Sequence, residues 1–262
     1  MPLGSIQTGT CKIGMNRVCI TAIGFLVFCC CRDAGEASCW MRPGNEASFT
    51  EAWSGMNLTT LTVHDQVDVV WKWDSTQDVS ITWTGPENLL DFTSVDWAGD
   101  QLIVGHTDRC EWARRLDLVV KAEIVSNSLN ALALRGQGKF IMDSIWRGSN
   151  LSVETFASSS TVLLRAEADT LTVKLHAGPS SVRVEGNATV IQAYSSGLGA
   201  LDASACQSEK AFINQSGVIP LRFVASDYAY VGIHAAGDAI VHGGLPDDFL
   251  LEMTSTGKLI EQ

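Results

Sequence analysis

Apolar and polar residues alternate along most of the chain from Leu58 onward, a pattern typical of strands with one buried face. The alternation is clear in three early segments, Leu58–Val63, Val67–Trp73 and Val79–Trp83. Patterns with the helical period are nearly absent, and the best helical candidate is the short stretch Asp108–Arg115. The sequence therefore predicts an all-β domain over residues 58–262.

Beyond residue 130 the alternation becomes a repeat, in which a short strand, a small-residue turn and a second short strand recur. The first strands of successive units begin at Asn130, Asn150, Thr170 and Ala188, which gives steps of 20, 20 and 18 residues. Seven such units follow one another. Their turns are rich in Gly, Ala and Ser, as in Gly136-Gln-Gly138, Ala157–Ser160, Ala177–Ser181 and Ser195–Gly199.

Strands that return to an equivalent place every ~20 residues are typical of a β-solenoid, whose stacked coils bury each apolar face between neighbours. A β-sandwich of hairpins is the competing architecture, because two strands around a glycine turn can also pair antiparallel. The nearly constant period and the lack of regular Asn-Gly turns favour the solenoid. In one unit the expected inward positions are Leu171, Val173 and Leu175, and the outward positions are Thr172, Lys174 and His176.

The first 31 residues have the pattern of an export signal. The apolar run Val18–Phe28 follows Met15-Asn-Arg17 and is too short to span a membrane, which favours a secretory signal with Met15 as a candidate true start. A buried N-terminal strand is the alternative. Residues 32–57 are polar and contain Gly and Pro, so we expect them to form a tether.

The apolar run leads into three consecutive cysteines, Cys29, Cys30 and Cys31, and in this it resembles a bacterial lipoprotein signal. Leu26 lies three residues before Cys29, as that pattern prefers, whereas Phe28 replaces the usual small residue before it. Which of the three cysteines is modified stays open. The resemblance implies a lipid that anchors the protein to a membrane without a spanning helix.

Composition excludes several classes of function. The 18 Lys and Arg against 29 Asp and Glu give a net charge of -11, which disfavours nucleic-acid binding. Six of the eight cysteines precede residue 40, so neither a disulfide framework nor a zinc site fits their spacing. No Gly-x-Ser-x-Gly elbow occurs, and no helical pattern follows Gly136-Gln-Gly138. We therefore expect no cofactor and no metal.

The order of the turn motifs resembles a bacterial family called the putative auto-transporter adhesin head GIN domain, over about Leu58–Glu252. The motifs that carry the resemblance are Val79–Leu89, Gly99–Val104, Ser196-Gly-Leu-Gly199, Gly237-Asp-Ala-Ile240 and Val241–Pro246. The chain departs from the family pattern at Ala157–Ser160, at Ala177–Ser180 and at His242, where tyrosine is common. The resemblance implies a right-handed parallel β-helix-like solenoid exported to the cell envelope, either periplasmic or an outer-membrane lipoprotein, and it brings no catalytic residues with it.

Several side chains are candidates for chemistry. His234 and His242, with Asp238 between them, could approach a metal across a turn, but positions within the repeat explain them better. Five aspartates could serve a sugar-cleaving enzyme, yet none pairs with another at equivalent repeat positions. These aspartates are Asp143, Asp169, Asp202, Asp227 and Asp238.

Trp71 and Trp73 share one face of a predicted strand and could form a platform on which a sugar stacks. Packing into one end of the core is the competing interpretation of this pair. Two functions follow from the sequence. The first is a lipid-anchored, non-enzymatic, adhesin-like protein of the envelope that binds a protein or a polysaccharide. The second is a carbohydrate-active β-helix enzyme.

Overall fold

The computed structural model describes residues 44–75, 78–107 and 119–262, so the helical candidate Asp108–Arg115 and the three consecutive cysteines lie outside the described residues. Nearly all of the regular structure is strand. The elements are β1 (Glu46–Trp53), β2 (Thr60–Val63), β3 (Val67–Trp73), β4 (Val79–Pro86), α1 (Glu87–Leu90), β5 (Thr93–Ala98), β6 (Gln101–His106), β7 (Val120–Ser126), β8 (Ala131–Leu134), β9 (Lys139–Met142), β10 (Trp146–Thr155), β11 (Thr161–Leu175), β12 (Ser181–Gly197), β13 (Ala200–Gly217), β14 (Leu221–Phe223), β15 (Tyr228–Ile233), β16 (Ala239–Val241), β17 (Asp248–Met253) and β18 (Leu259–Glu261).

The strands after residue 130 stack in parallel, which confirms the β-solenoid and rules out the sandwich of hairpins. Val153 pairs in register with Val173, Val173 with Ala193, and Ala193 with Ile213. The same column continues through Val231 and Leu251. Residues about one period apart therefore lie directly above one another, as the repeat predicts, and the seven sequence units are seven stacked coils.

Each coil contributes one strand to each of two long sheets. We call the sheet through β8, β10 and the second halves of β11, β12 and β13, then β15 and β17, the first sheet. The second sheet runs through β9 and the first halves of β11, β12 and β13, then β14, β16 and β18. A short third side joins them in the middle coils, where Glu167 pairs with Asn187 and Asn187 with Gln207.

Alternation decides which side chains fill the interior. In β11 the buried residues are Val162, Leu164 and Ala166 before the bend and Leu171, Val173 and Leu175 after it. The shift from even to odd positions marks the corner at which the chain turns from the second sheet to the third side and on to the first. Burial of these aliphatic columns in the coils that have a neighbour on both sides supplies most of the stabilisation, because each Leu or Val removed from water contributes about 1.5–3 kcal/mol.

At the turns that contain Gly178 and Gly257, the stacked coils leave no room for a side chain. A Cβ atom on Gly178 would lie 2.3 Å from the carbonyl oxygen of Ser158, in the coil before it. Gly257 is in the same position relative to Gly237, with its added Cβ 2.3 Å from that carbonyl oxygen. Serine hydroxyls fill other corners, since Ser180 Oγ donates to Ser158 O at 2.7 Å and so satisfies a buried carbonyl group.

The first coils do not stack in chain order. The coil formed by β2 and β3 lies between the coil of β6 and β7 and the coil of β8 and β9. This end of the solenoid is then closed by antiparallel strands: β5 pairs with β6, while β4 pairs with β7 and with β1. Strand β1 lies within the predicted tether 32–57, so the ordered fold already includes residues 46–53.

Candidate functional site

Aromatic side chains form a band on the outer surface of the first sheet. We call Phe156, His176, Tyr194, Phe212, Tyr228 and Tyr230 the aromatic band. Its members come from successive coils, because Lys174 pairs with Tyr194, Gln192 with Phe212 and Phe212 with Tyr230. Tyr194, Phe212 and Tyr230 lie at outward positions between buried neighbours, as Phe212 does between Ala211 and Ile213. The solenoid therefore arranges single outward rings from distant parts of the chain into one continuous surface.

The rings contact one another across the coils. His176 stacks on Phe156 with ring centroids 4.6 Å apart and an interplanar angle of 12°, and Tyr194 is 5.8 Å from His176. Arg135 extends the stack at one end, with its guanidinium carbon 4.4 Å from the centroid of Phe156. Phe212 and Tyr228 form a second pair at 5.7 Å. These contacts limit the rotamers of the rings and hold their faces in place.

An open groove of ≈ 510 Å³ lies in the middle of this surface. Its lining combines aromatic rings and aliphatic surface with hydrogen-bonding groups of four kinds: amide, hydroxyl, ammonium and imidazole. Phe212 is 40% exposed, although its ring is large and apolar. The lining residues are Thr172, Lys174, His176, Gln192, Ala193, Tyr194, Phe212 and Asn214.

One carboxylate, Glu154, organises the charged groups at the border of the groove. Its Oε1 lies 3.3 Å from Lys174 Nζ, and its Oε2 lies 2.9 Å from His176 Nε2. Partial burial acts to raise the pKa of Glu154, but the hydrogen bonds from His176 and Lys174 together outweigh it and lower that pKa below its ordinary value. Glu154 is thus held ionised and fixes the Lys174 and His176 side chains beside the rings.

A second depression of ≈ 310 Å³ extends the surface toward the first coils. It shares Glu154 and Phe156 with the region around the groove and adds Arg135 and His64. Neither lining contains two carboxylates among the residues that the structure describes. The surface can therefore hold an extended ligand by stacking and hydrogen bonding, but it lacks the pair of carboxyl groups with which most glycosidases cleave a sugar chain.

The two tryptophans predicted from the sequence as a stacking platform differ in how far their side chains are exposed. Trp71 is fully buried and donates from Nε1 to Ser126 Oγ at 2.8 Å, so a ligand cannot reach it. Its neighbours in register, Ile124 and Met142, come from the coils on either side. Trp73 at the end of the same strand is 50% exposed. Packing into the core, the competing interpretation, applies to Trp71.

The histidine pair considered as a metal site does not form one surface. His234 follows β15 in the first sheet, where its Nδ1 lies 2.9 Å from Thr254 Oγ1. His242 follows β16 in the second sheet, and its buried Nε2 has no hydrogen-bond partner among the described residues. Within the described ranges, no group of three or more His, Cys, Asp and Glu side chains is placed to hold a metal ion.

Two of the candidate aspartates, Asp238 and Asp202, accept hydrogen bonds from the backbone. Asp238 Oδ1 accepts a hydrogen bond from the backbone N–H of Lys258 at 2.8 Å, in the next coil. Burial acts to raise the pKa of Asp202, but hydrogen bonds from the hydroxyl and backbone of Ser204, with nearby arginines, lower it on balance. Asp227 accepts from Ser226 Oγ at 2.6 Å, and Asp143 is exposed.

Asp169 lies in a different place, a polar groove along the third side that Glu167 and Glu209 also line. Glu167 there is engaged by Arg147, with Nε to Oε2 at 2.8 Å and Nη2 to Oε1 at 3.2 Å. These hydrogen bonds lower the pKa of Glu167. Of the three carboxylates that line this groove, Glu167 forms an ion pair, and Asp169 and Glu209 are two further acidic groups.

Most of the aromatic band was not predicted from the sequence, because residue types taken one at a time do not show which side chains share one surface. The signal that finds the band is the period itself. If Lys174 is outward, the residues at equivalent places in the neighbouring coils, Glu154 and Tyr194, are outward too. In the same way, the outward position of Thr172 predicts that Gln192 and then Phe212, one and two coils further on, also point outward.

A family model described as "Putative auto-transporter adhesin, head GIN domain" matches residues 57–244, which confirms the resemblance seen in the turn motifs. No curated protein matches the chain. No helix within the described ranges has the length and apolarity needed to span a membrane.

Solved bacterial structures share the fold. A putative adhesin from Bacteroides fragilis is 16% identical with a TM-score of 0.72, over 82% of this chain and 97% of that one. A protein named as a putative lipid binding protein, from Parabacteroides distasonis, is 17% identical with a TM-score of 0.63, over 84% of this chain and 98% of that one. A putative adhesin from Parabacteroides merdae is 16% identical with a TM-score of 0.56, over 84% of this chain and 98% of that one.

Proposed function

Because the chain belongs to the head GIN domain family of putative auto-transporter adhesins, we propose that it is an exported, lipid-anchored envelope protein whose solenoid binds a polysaccharide without cleaving it. The aromatic band and its groove carry this proposal. Ring faces stack well on the apolar faces of sugars, and hydroxyl groups at the edge of a sugar need hydrogen-bond partners. The groove offers both within one surface, through Tyr194 and Phe212 on one hand and Gln192 and Asn214 on the other.

The length of the surface favours a chain over a single sugar. The band crosses the coils from Phe156 to Tyr230, and neighbouring strands in a sheet are about 4.8 Å apart. Successive rings thus repeat on the scale of one sugar unit. Binding along such a row sums several weak contacts, as adhesion to a polymer requires.

A lipid ligand is the alternative that the name of the Parabacteroides distasonis structure raises for that protein. The groove here is open to solvent, and its apolar surface is interrupted by Lys174, Gln192 and Asn214. An acyl chain is better held by an enclosed apolar cavity. The geometry therefore supports a sugar more than a lipid.

Binding is tested with the full chain and a panel of immobilised neutral and acidic polysaccharides. We expect the wild type to be retained on at least one of them, and the double variant Tyr194→Ala/Phe212→Ala to bind about tenfold or more weakly. Leu198→Ala removes a side chain that is 56% exposed and lies outside the groove lining, and it should leave binding unchanged. Equal retention of both variants, or retention only on lipid vesicles, would contradict a sugar-binding band.

Chain length of the soluble polysaccharide is measured in the same incubation. We expect the chain length of the polysaccharide to stay unchanged. Progressive shortening that is abolished by Asp169→Asn or Glu209→Gln would favour the carbohydrate-active enzyme instead, with the groove of the third side as its site.

Anchoring is tested separately by expressing the full chain with a labelled fatty acid. We expect label in the wild type and its loss when Cys29, Cys30 and Cys31 are all replaced by Ser, with release from the membrane fraction. Single substitutions then identify the modified cysteine. An unlabelled wild type, or a triple variant that fractionates with membranes as before, would contradict the anchor.

A further inference from the structure

Among the described residues, nothing covers the interior of the solenoid at its last coil, formed by β17 and β18. Phe249, Leu251 and Met253 pair in register with Ala229, Val231 and Ile233 of the preceding coil. The three residues of the preceding coil are fully buried, whereas Phe249 is 45% exposed, Leu251 37% and Met253 47%. The positions are equivalent, so the difference arises because nothing in the described part of the chain lies over the last coil.

The backbone at this end is open as well. Among the described residues β17 pairs only with β15, and β18 pairs only with β16. The opposite end differs, since the antiparallel strands β1, β4 and β5 close it. An edge strand with exposed apolar side chains readily pairs with another strand. An occupant must therefore offer both a strand edge and an apolar face.

We infer that the occupant is a second copy of this chain, joined end to end through a two-fold axis at Leu251. A two-fold axis makes the two β17 strands antiparallel, as in many symmetric dimers. Centred on Leu251, the pairing sets Leu251 opposite its own copy and Phe249 opposite Met253 of the other copy. Every uncovered inward side chain of β17 then meets an apolar one, and the interior continues from one solenoid into the next.

Charge selects this register over its neighbour. A pairing centred on Leu250 would place Asp248 opposite Glu252 of the other copy, and like charges directly opposite each other are destabilising. The register centred on Leu251 sets Asp248 opposite Thr254 and Glu252 opposite Leu250. A register shifted by one residue in only one copy would turn inward side chains outward. One arrangement therefore satisfies both the apolar face and the charges.

The size of the end surface suits a dimer. Each coil advances the chain by about 20 residues, as in the step from Val231 to Leu251. A stable interface uses about 20–30 residues from each partner. One whole coil from each copy, with its free strand edge, is close to that requirement.

Sedimentation of the full chain in a mild detergent tests the mass. We expect a dimer at micromolar concentration, and a shift to monomer in Leu251→Lys, because two ammonium groups would then oppose each other in an apolar interior. Leu198→Lys changes a side chain that is 56% exposed elsewhere and should remain dimeric. A wild-type monomer at ~100 µM would overturn the inference and assign the end to a different occupant, and so would a series of larger assemblies.

Cross-linking tests the register. Leu251→Cys should form a disulfide-linked dimer on mild oxidation, because residues opposite themselves across an antiparallel pair have Cβ atoms about 4.5–5.5 Å apart. Leu250→Cys should not, since it lies opposite Glu252. The background variant keeps only Cys206, a buried residue whose burial raises its thiol pKa to about 11. Equal cross-linking of both positions, or of Leu250→Cys alone, would overturn the proposed axis.

Discussion

His176 and Glu154 are joined by a 2.9 Å contact between Nε2 and Oε2, although they lie 22 residues apart in sequence. The imidazole also stacks on Phe156, which ties the orientation of the aromatic band to a charged hydrogen bond. One residue thus couples the electrostatics of the surface to the position of its rings.

This coupling predicts a dependence of stability on pH. The folded state lowers the pKa of Glu154, so the stabilisation from its ionised form is complete above the ordinary pKa of 4.5 and is lost as the pH falls through the lowered value. Glu154→Gln should therefore reduce the free energy of unfolding at pH 6 and have a smaller effect at pH 3. Denaturant unfolding at several pH values measures this, with the exposed Glu209→Gln as control. A deficit in Glu154→Gln that is equal at pH 6 and pH 3 would contradict it.

The middle coils should be sensitive to cavities. Leu171 is fully buried between Leu151 and Ile191, its partners in register in the coils on either side. Leu171→Ala should lower the free energy of unfolding by about 2–5 kcal/mol, because close-packed coils cannot collapse into the space. Leu198→Ala makes the same chemical change at an exposed site and should cost under about 0.5 kcal/mol. Similar losses in both variants would show that Leu171 is not part of a rigid core.

The turns should distinguish a steric requirement for glycine from a conformational one. Gly178 has φ +90° and no room for a Cβ atom, whereas Gly197 has φ +62° and nothing within 4 Å of an added Cβ. Gly197→Ala should cost about 1–2 kcal/mol from backbone strain alone. Gly178→Ala adds a clash with Ser158 and should cost about 2–5 kcal/mol. Thermal unfolding compares the two, and an equal loss would mean that the coils can separate at the turn.

The buried tryptophan should depend on its hydroxyl partner. Ser126→Ala leaves Trp71 Nε1 without its acceptor and should cost about 1–3 kcal/mol. In a Trp71→Phe background the same substitution should cost less, because no indole N–H then needs a partner. Unfolding of the two single variants and the double variant gives the coupling energy. A coupling near zero would contradict the role assigned to this hydrogen bond.

The sequence predicted much of the fold, since alternation and period report directly on burial. Strand β3 has the bounds that its pattern predicts, at Val67–Trp73. The repeat also separated the inward Val173 from the outward Lys174. Both results follow because a buried face produces the same alternation of apolar and polar residues from coil to coil.

Other features of the fold produce no regular pattern in the sequence. Alternation shows which face of β2 is buried, but not that its neighbours are β6 and β8 instead of the next strand in the chain. Strand β1 was missed because it is mostly exposed and lacks regular alternation, with Phe49 itself 39% exposed. Trp71 and Trp73 share a face, yet only their place along the strand decides that one is buried and the other accessible.

The displaced order of the first coils bears on how the protein folds. The coils from residue 130 onward each add to the one before, so they can form progressively with short-range closures. The coil of β2 and β3 instead receives its two neighbours from β6 and β7 and from β8 and β9, which come later in the chain. A chain that emerges from its N-terminus must therefore hold this segment unpaired until β6 and β7 have arrived, and the segment gains its second neighbour only when β8 and β9 are complete at Met142. Completion of that three-coil base requires longer-range closures than the stacking of the remaining coils, and we expect it to be the slower step.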